Sequence, residues 1–176
     1  MTTIVQRDNP TLRKVATTVA AEDISSPQIQ AVIKKMIKAL EEQDDGVAIA
    51  APQIGESLRI FVVSGKVFVK NYPDHEPGEK VPDTLVCINP KILKLSQEKK
   101  SVPEGCLSVR WLYGNVLRST KAKIEAYDAQ GKKFSRGGSG LLAQIFQHEI
   151  DHLDGILFTD TATDLEEMPP DKENKK

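Results

Sequence analysis

Residues 141–154 read Leu-Leu-Ala-Gln-Ile-Phe-Gln-His-Glu-Ile-Asp-His-Leu-Asp. Apolar Leu141, Leu142, Ile145, Phe146, Ile150 and Leu153 flank two histidines, the pattern of a helix that crosses a core. Gly155 supplies a stop signal. The four-residue spacing puts His148 and His152 on one helical face, a turn apart. Both imidazoles can then reach one metal ion, and Glu149 can address a water bound to it. The plain alternative is a helix that happens to carry two histidines. The chain has three histidines in all, however, and two of them stand here. His75, in a proline-rich loop, reads as a solvated loop residue.

Upstream, the chain reads as strands. Residues 121–127 alternate Lys-Ala-Lys-Ile-Glu-Ala-Tyr, DAQG supplies a turn, and residues 132–135 return as an antiparallel partner. Gly137, Gly138 and Gly140 are expected to break that hairpin before the helix. Leu58 to Val63 and Leu85 to Leu95 are further strands, the second interrupted at Asn89-Pro90, with a polar loop at residues 70–83 between them. In the N-terminal half, Ile29, Val32, Ile33, Met36, Ile37 and Leu40 step by three and four. That stripe predicts a helix from Pro27 to Gln43, begun by Ser26 as cap and Pro27 in the first turn. A short helical piece at Asn9-Pro10 is expected to bury Leu12, Val15 and Ala16. The expected fold is one α+β domain, with antiparallel β-sheets packed around the central histidine-bearing helix and one amphipathic helix in the N-terminal half. Residues 1–165 are read as the domain and residues 166–176 as a disordered polar tail.

The 176 residues are 39% hydrophobic and 28% charged, with a formal net charge of −1. This balance argues against a general nucleic-acid or membrane-surface binder, which needs a basic excess. The opening MTTIVQRDNPTLRK lacks the apolar core of a signal peptide, and no apolar run is long enough to span a bilayer. The expected address is the cytoplasm, where two cysteines are not a disulfide scaffold. Cys87, in Leu-Val-Cys-Ile, reads as a small hydrophobe on a buried strand. Cys106 stands in the glycine-containing turn Glu-Gly-Cys-Leu-Ser, residues 104–108. A thiolate there would complete a Cys-His-His set suited to a soft or borderline metal. Asp160, Asp164, Glu166 and Glu167 are alternative third ligands, as in a metallopeptidase. A binding module with a structural metal is a third reading. Residues 46–55, GVAIAAPQIG, are small and apolar apart from Gln53. Gln53 is either merely exposed or an amide placed to donate to a developing oxyanion.

Three segments in order, GVAIAAPQ (46–53), EGCLS (104–108) and QHEIDHLDG (147–155), resemble the motifs of the peptide deformylase family. The surrounding chain is similar from DNPTLRKVA (8–16) to ILF (156–158), so the resemblance covers residues 4–160. It implies that Cys106, His148 and His152 bind one divalent metal ion, Fe2+ in the family, with Zn2+, Ni2+ or Co2+ as replacements. It makes Glu149 the general acid/base, and Gln53 with the Leu107 backbone N–H the oxyanion donors. The implied reaction removes formate from the formyl-methionine of nascent polypeptides, with transient ribosome contact, no nucleic-acid reading and no membrane. Ile145 and Leu141, with the apolar parts of Val47 and Ile49, are candidates for the methionine pocket. The edge of the segment from Gly46 through Val47, Ala48 and Ile49 is a candidate to pair with the substrate backbone.

Two departures from the family pattern stand out. Ala48 replaces a usual second glycine, adding a methyl and disfavouring positive φ. After residues 156–160 there is room for about one helical turn before Pro169-Pro170, whereas some family members carry a long C-terminal helix implicated in ribosome contact. Glu104 and Arg118 match a charged pair of the family that, if buried, would orient the Cys106 turn.

Overall fold

The structure, a computed structural model, describes residues 3–69, 72–73 and 80–169. His75 and residues 170–176 of the expected tail lie outside the described residues. The apolar stripe of the N-terminal half winds as α1 (Pro27–Glu41), ending two residues before Gln43. Ser26 Oγ accepts the Ile29 N–H at 3.3 Å, and Pro27 occupies a first-turn position that needs no N–H. The earlier short piece is a single 3-10 turn, Pro10–Arg13. It buries Leu12, and Ala16 beyond it is buried too, but Val15 is 70% exposed, contrary to expectation.

Nine elements follow in chain order: β1 (Ala48–Ala50), β2 (Ile60–Val63), β3 (Leu85–Leu95), β4 (Lys99–Gly105), β5 (Leu112–Ser119), β6 (Lys121–Tyr127), β7 (Lys133–Ser139), α2 (Gly140–Leu153) and β8 (Thr163–Glu167). They form two antiparallel sheets, one ordered β1-β2-β3-β6-β7 and the other β4-β5-β8. Side chains alternate across a strand, and here both faces are covered. Ile49, Ile60, Val62 and Ile88 pack with the α1 stripe. Ala48, Ala50, Phe61, Val63 and Cys87 pack with Ile145, Phe146, Ile150 and Leu153 of α2. Phe61 and Phe146 meet with ring centroids 6.2 Å apart. Cys87 is fully buried there, as a small hydrophobe. No described helix is long and apolar enough to cross a membrane.

Three local expectations are corrected. β3 runs through Asn89-Pro90 without breaking, because Asn89 takes φ 51° and the register with β6 shifts between Ile88 and Lys91. The Asn89 amide holds that bulge by accepting the Val19 N–H and donating to the Val19 carbonyl, at 2.9 and 2.8 Å. The β6–β7 hairpin also runs on through Gly137 and Gly138, which pair with Lys123 and Ala122. A Cβ on Gly138 would stand 2.8 Å from Leu142 Cγ, so the glycine is what lets α2 lie close to its own preceding strand. Finally, residues 163–167 form β8 along the edge of β5 and not a helical turn; Glu166 and Glu167, read as part of the tail, belong to that strand.

Candidate active site

α2 is pinned by the residue before its first histidine. The buried Gln147 amide accepts the Ser119 N–H and donates to the Ser119 carbonyl, both at 3.0 Å, and donates to the Ala143 carbonyl at 2.8 Å. This fixes the helix against the end of β5 and aims its histidines at the turn that follows β4. There Cys106 Sγ lies 3.2 Å from His152 Nε2, across 46 residues of sequence. The two imidazoles are edge to face, centroids 4.9 Å apart. The ligand atoms of Cys106, His148 and His152 all lie within 4.8 Å of one another. One ion bonded at about 2.0–2.3 Å gathers such a set with small side-chain shifts.

The alternative carboxylates are elsewhere. Asp160 pairs with Arg13 at 2.6 Å, Asp164 accepts from Asn115 and Thr163, and Glu166 and Glu167 are exposed on β8. Among the described residues, Cys106, His148 and His152 form the one such cluster, with no fourth His, Cys, Asp or Glu. Three protein donors and an open position suit a catalytic ion better than a structural one.

Behind the histidines lies a buried ionic network. Glu104 Oε2 meets His148 Nδ1 at 2.9 Å, which leaves Nε2 of that ring for a metal. Arg118 grips the same carboxylate with two N–H donors, at 2.7 and 3.0 Å, and reaches Asp151 Oδ2 at 2.6 Å. The Glu104 and Arg118 side chains are 2% and 9% exposed, so the pair is no surface contact. Burial alone would push the Glu104 carboxyl up, but the hydrogen bonds and charges of His148 and Arg118 outweigh it and hold it at about 2. Burial, reinforced by His148, pushes His152 well down, towards the neutral form that can ligate. Burial opposes a charge on His148 too, yet hydrogen bonds to Cys106 and Glu104 and nearby negative charge overcome it and raise that group.

Replacing Arg118 with Ala removes the guanidinium from the buried Glu104 carboxylate and from the half-buried Asp151. The expected cost is about 3–5 kcal/mol of stability, with a fall in metal affinity of about 10–100-fold. Chemical denaturation and metal titration check both. Unchanged values in both would reduce the network to packing.

Gln53 is 1% exposed, on a 3-10 turn at Ala51–Ile54, so the reading of a merely exposed amide is ruled out. Its Oε1 accepts the Ala50 N–H at 2.8 Å. Its Nε2 donates to Ser108 Oγ at 3.2 Å and to Cys106 Sγ at 3.5 Å. The Ser108 N–H also donates to that sulfur, at 3.4 Å. The N-terminal segment buttresses the same corner: Val5 N–H donates to the Gln53 carbonyl at 2.9 Å, and Gln6 Nε2 to the Leu107 carbonyl at 3.1 Å. The sequence reading missed Gln6, Ser108, Gln147 and the Asp151 contact with Arg118. Ser108, Gln147 and Asp151 were marked only by their closeness in sequence to Cys106, His148 and His152.

These groups face a cleft of about 310 Å³. Gly46, Val47, Ala48, Gln53 and Leu107 line it, and Ile145, His148 and Glu149 stand on the α2 side. Ile49 does not reach it. Strand alternation sends that side chain into the core beneath α1, where it is fully buried. Gly105 admits the Tyr113 ring beside the cysteine turn, since a Cβ there would come within 2.5 Å of it. At the rim, Arg110 spans to Asp45 at 2.6 Å and to Gln43 at 2.8 Å, a contact the sequence did not reveal. Glu149 is 4% exposed, and burial pushes its carboxyl up to about 7. Among the described residues, Glu149 Oε2 and His152 Nδ1 are buried polar atoms without hydrogen-bond partners.

Comparison with known proteins agrees with this geometry. A family model described as polypeptide deformylase matches residues 1–168. A peptide deformylase of Roseiflexus castenholzii is 38% identical over 165 residues, covering 92% of this chain and 89% of the relative. The crystal structure of a Legionella pneumophila peptide deformylase superposes with a TM-score of 0.77 at 35% identity, covering 93% of this chain and 87% of that one. The crystal structure of the class I type b enzyme of Acinetobacter baumannii bound to Met-Ala-Ser gives 0.77 at 33% identity, covering 90% and 97%. The matched residues take in all three motifs and every side chain of the Cys106, His148 and His152 cluster, so the chain belongs to the polypeptide deformylase family.

Proposed function

We propose that this chain is a cytoplasmic peptide deformylase, hydrolysing the formyl group from the formyl-methionyl ends of newly made polypeptides. The observation that carries the reading is the meeting of a three-donor cluster, a buried acid and a buried amide in one cleft. Cys106, His148 and His152 would hold one divalent ion, Fe2+ by resemblance, with Zn2+, Ni2+ or Co2+ as replacements. When bound, the ion supplies a water acidified towards neutral pH and polarises the formyl oxygen. Glu149 takes the proton of the attacking water on its carboxylate and delivers it to the leaving amine nitrogen. Its raised carboxyl suits both halves of that task at neutral pH. Gln53 Nε2 and the Leu107 N–H donate to the oxygen that gains charge, each such donor being worth about 2.7–4 kcal/mol.

The edge of Gly46, Val47 and Ala48 receives the substrate backbone, and Val47 and Ile145 enclose the methionine side chain, with Ile49 supporting the strand from below. A relative bound to Met-Ala-Ser supports this, since that peptide begins with methionine. Backbone pairing is blind to later side chains, as a processing enzyme with many substrates requires. The catalytic domain extends through β8, whose last residue Glu167 pairs with Leu112 of β5. Contact with the ribosome is transient, and neither nucleic-acid reading nor a membrane is involved, in keeping with a net charge of −1.

The expected result is formate release from a formyl-methionyl dipeptide by anaerobically purified, iron- or nickel-loaded protein. No formate from fully metallated protein overturns the proposal.

A further inference from the structure

Val5 and Gln6 are consecutive, and each holds a backbone carbonyl of a different turn of the cleft. The Val5 N–H donates to the Gln53 carbonyl at 2.9 Å, and Gln6 Nε2 donates to the Leu107 carbonyl at 3.1 Å. Gln53 stands on the 3-10 turn Ala51–Ile54, and Leu107 on the turn that follows β4. Neither turn is long enough to hold its own geometry, since a single turn fixes several dihedrals for one hydrogen bond. The N-terminal segment, in contrast, is anchored on both sides. Ile4 packs against the apolar cluster that contains Ala51 and Leu107. Val5, like Cys106, packs against the cluster that contains Val109.

We infer that Gln6 is a positioning residue for the oxyanion donors, a splint that fixes the Leu107 turn relative to Gln53. This rests on the reading of Gln53 Nε2 and the Leu107 N–H as those donors. The carbonyl that Gln6 holds belongs to the planar peptide whose N–H, on Ser108, donates to Cys106 Sγ at 3.4 Å. That plane is therefore held at both ends, by Gln6 at its oxygen and by the sulfur at its hydrogen. The Leu107 N–H lies on the preceding peptide, so only the φ and ψ of Leu107 separate its direction from the held plane. On the other turn, Val5 holds the Gln53 backbone while the side-chain amide accepts from Ala50 at 2.8 Å and donates to Ser108 Oγ at 3.2 Å. Donors that converge on one oxygen act only while their spacing is kept, and a misplacement of about 1 Å costs on the order of 10²-fold in rate. Gln6 is exposed and does not line the cleft, so it acts through Leu107 and not on the substrate.

Steady-state kinetics of the metal-loaded full chain on formyl-Met-Ala test this, with metal content measured on every preparation. Gln6→Met keeps the length of the side chain and removes the donor. Its kcat falls about tenfold, part of the roughly 10²–10³ that loss of a whole oxyanion donor costs, while KM stays within about twofold and the metal remains bound. Gln6→Arg, whose Nε–H stands as many bonds from the backbone as the lost amide, regains most of that rate. Lost packing alone produces neither the split between kcat and KM nor the recovery with arginine. An unchanged kcat in Gln6→Met, a change in KM in place of kcat, or no recovery in Gln6→Arg overturns the positioning role and leaves the functional reading standing. A fully metallated parent protein that releases no formate overturns that reading, and the positioning role with it.

Discussion

Glu149→Ala protein releases formate from a formyl-methionyl dipeptide about 10²–10⁴-fold more slowly than the parent and still binds one equivalent of metal. The range is the usual contribution of a positioned general acid/base. Retention of the metal follows from geometry, because the donor cluster is complete without Glu149. The carboxyl is 4% exposed and has an oxygen with no partner among the described residues, so no other contact of the fold depends on that atom. Removing it even relieves the burial that pushes the group up to about 7. Rate and metal content, measured on the same preparation, separate the roles. Loss of both together would make Glu149 part of the metal scaffold, and an unchanged rate would remove it from the chemistry.

Cys106→Ser protein loses its metal. A hydroxyl is a poor ligand for a borderline ion beside two imidazoles, and among the described residues no carboxylate joins the cluster to replace the thiolate. The fall in affinity exceeds the roughly 10–100-fold that loss of an outer partner costs. Thiol labelling of the parent gives an independent reading. Cys106 is half-buried on the cleft, whereas Cys87 is fully buried and its thiol is pushed up by that burial. Metal-free protein therefore takes up one thiol reagent, at Cys106, and metal protects it. Cys87 reacts only after unfolding. Full metal content in the serine variant would reopen the carboxylate-ligand alternative.

Much of the site was legible in the sequence because its signals are local. His148 and His152 share a helical face whatever the rest of the chain does, and the apolar stripe of α1 needs only the helical period to be read. The Cys-Leu-Ser turn announced a cysteine without a structural role, and order along the chain supplied the resemblance. Where the reading failed, the deciding partner was distant. Residues 163–167 carry no strong strand pattern, and they extend because β5 offers an open edge. Gly137 and Gly138 read as breakers, yet both stay in the ladder, and at Gly138 the missing side chain leaves the space that Leu142 of α2 fills. Ile49 belonged to the right segment but to the wrong face, since alternation settles sides only once a register exists.

The sequence by itself determined the fold class, the two helices, the histidine pair and the acid between them, all through spacings of a few residues. Only the tertiary structure decided that Cys106, and none of four carboxylates, joins those histidines across 46 residues. It also decided that Gln53 is buried against the sulfur, and that Glu104 and Arg118 stand behind the two histidines as a desolvated pair. The physical reason is that periodicity tells which way a side chain faces along its own element. What it faces depends on how sheets and helices pack, and the strength of a charge or a donor depends on the water that packing removes.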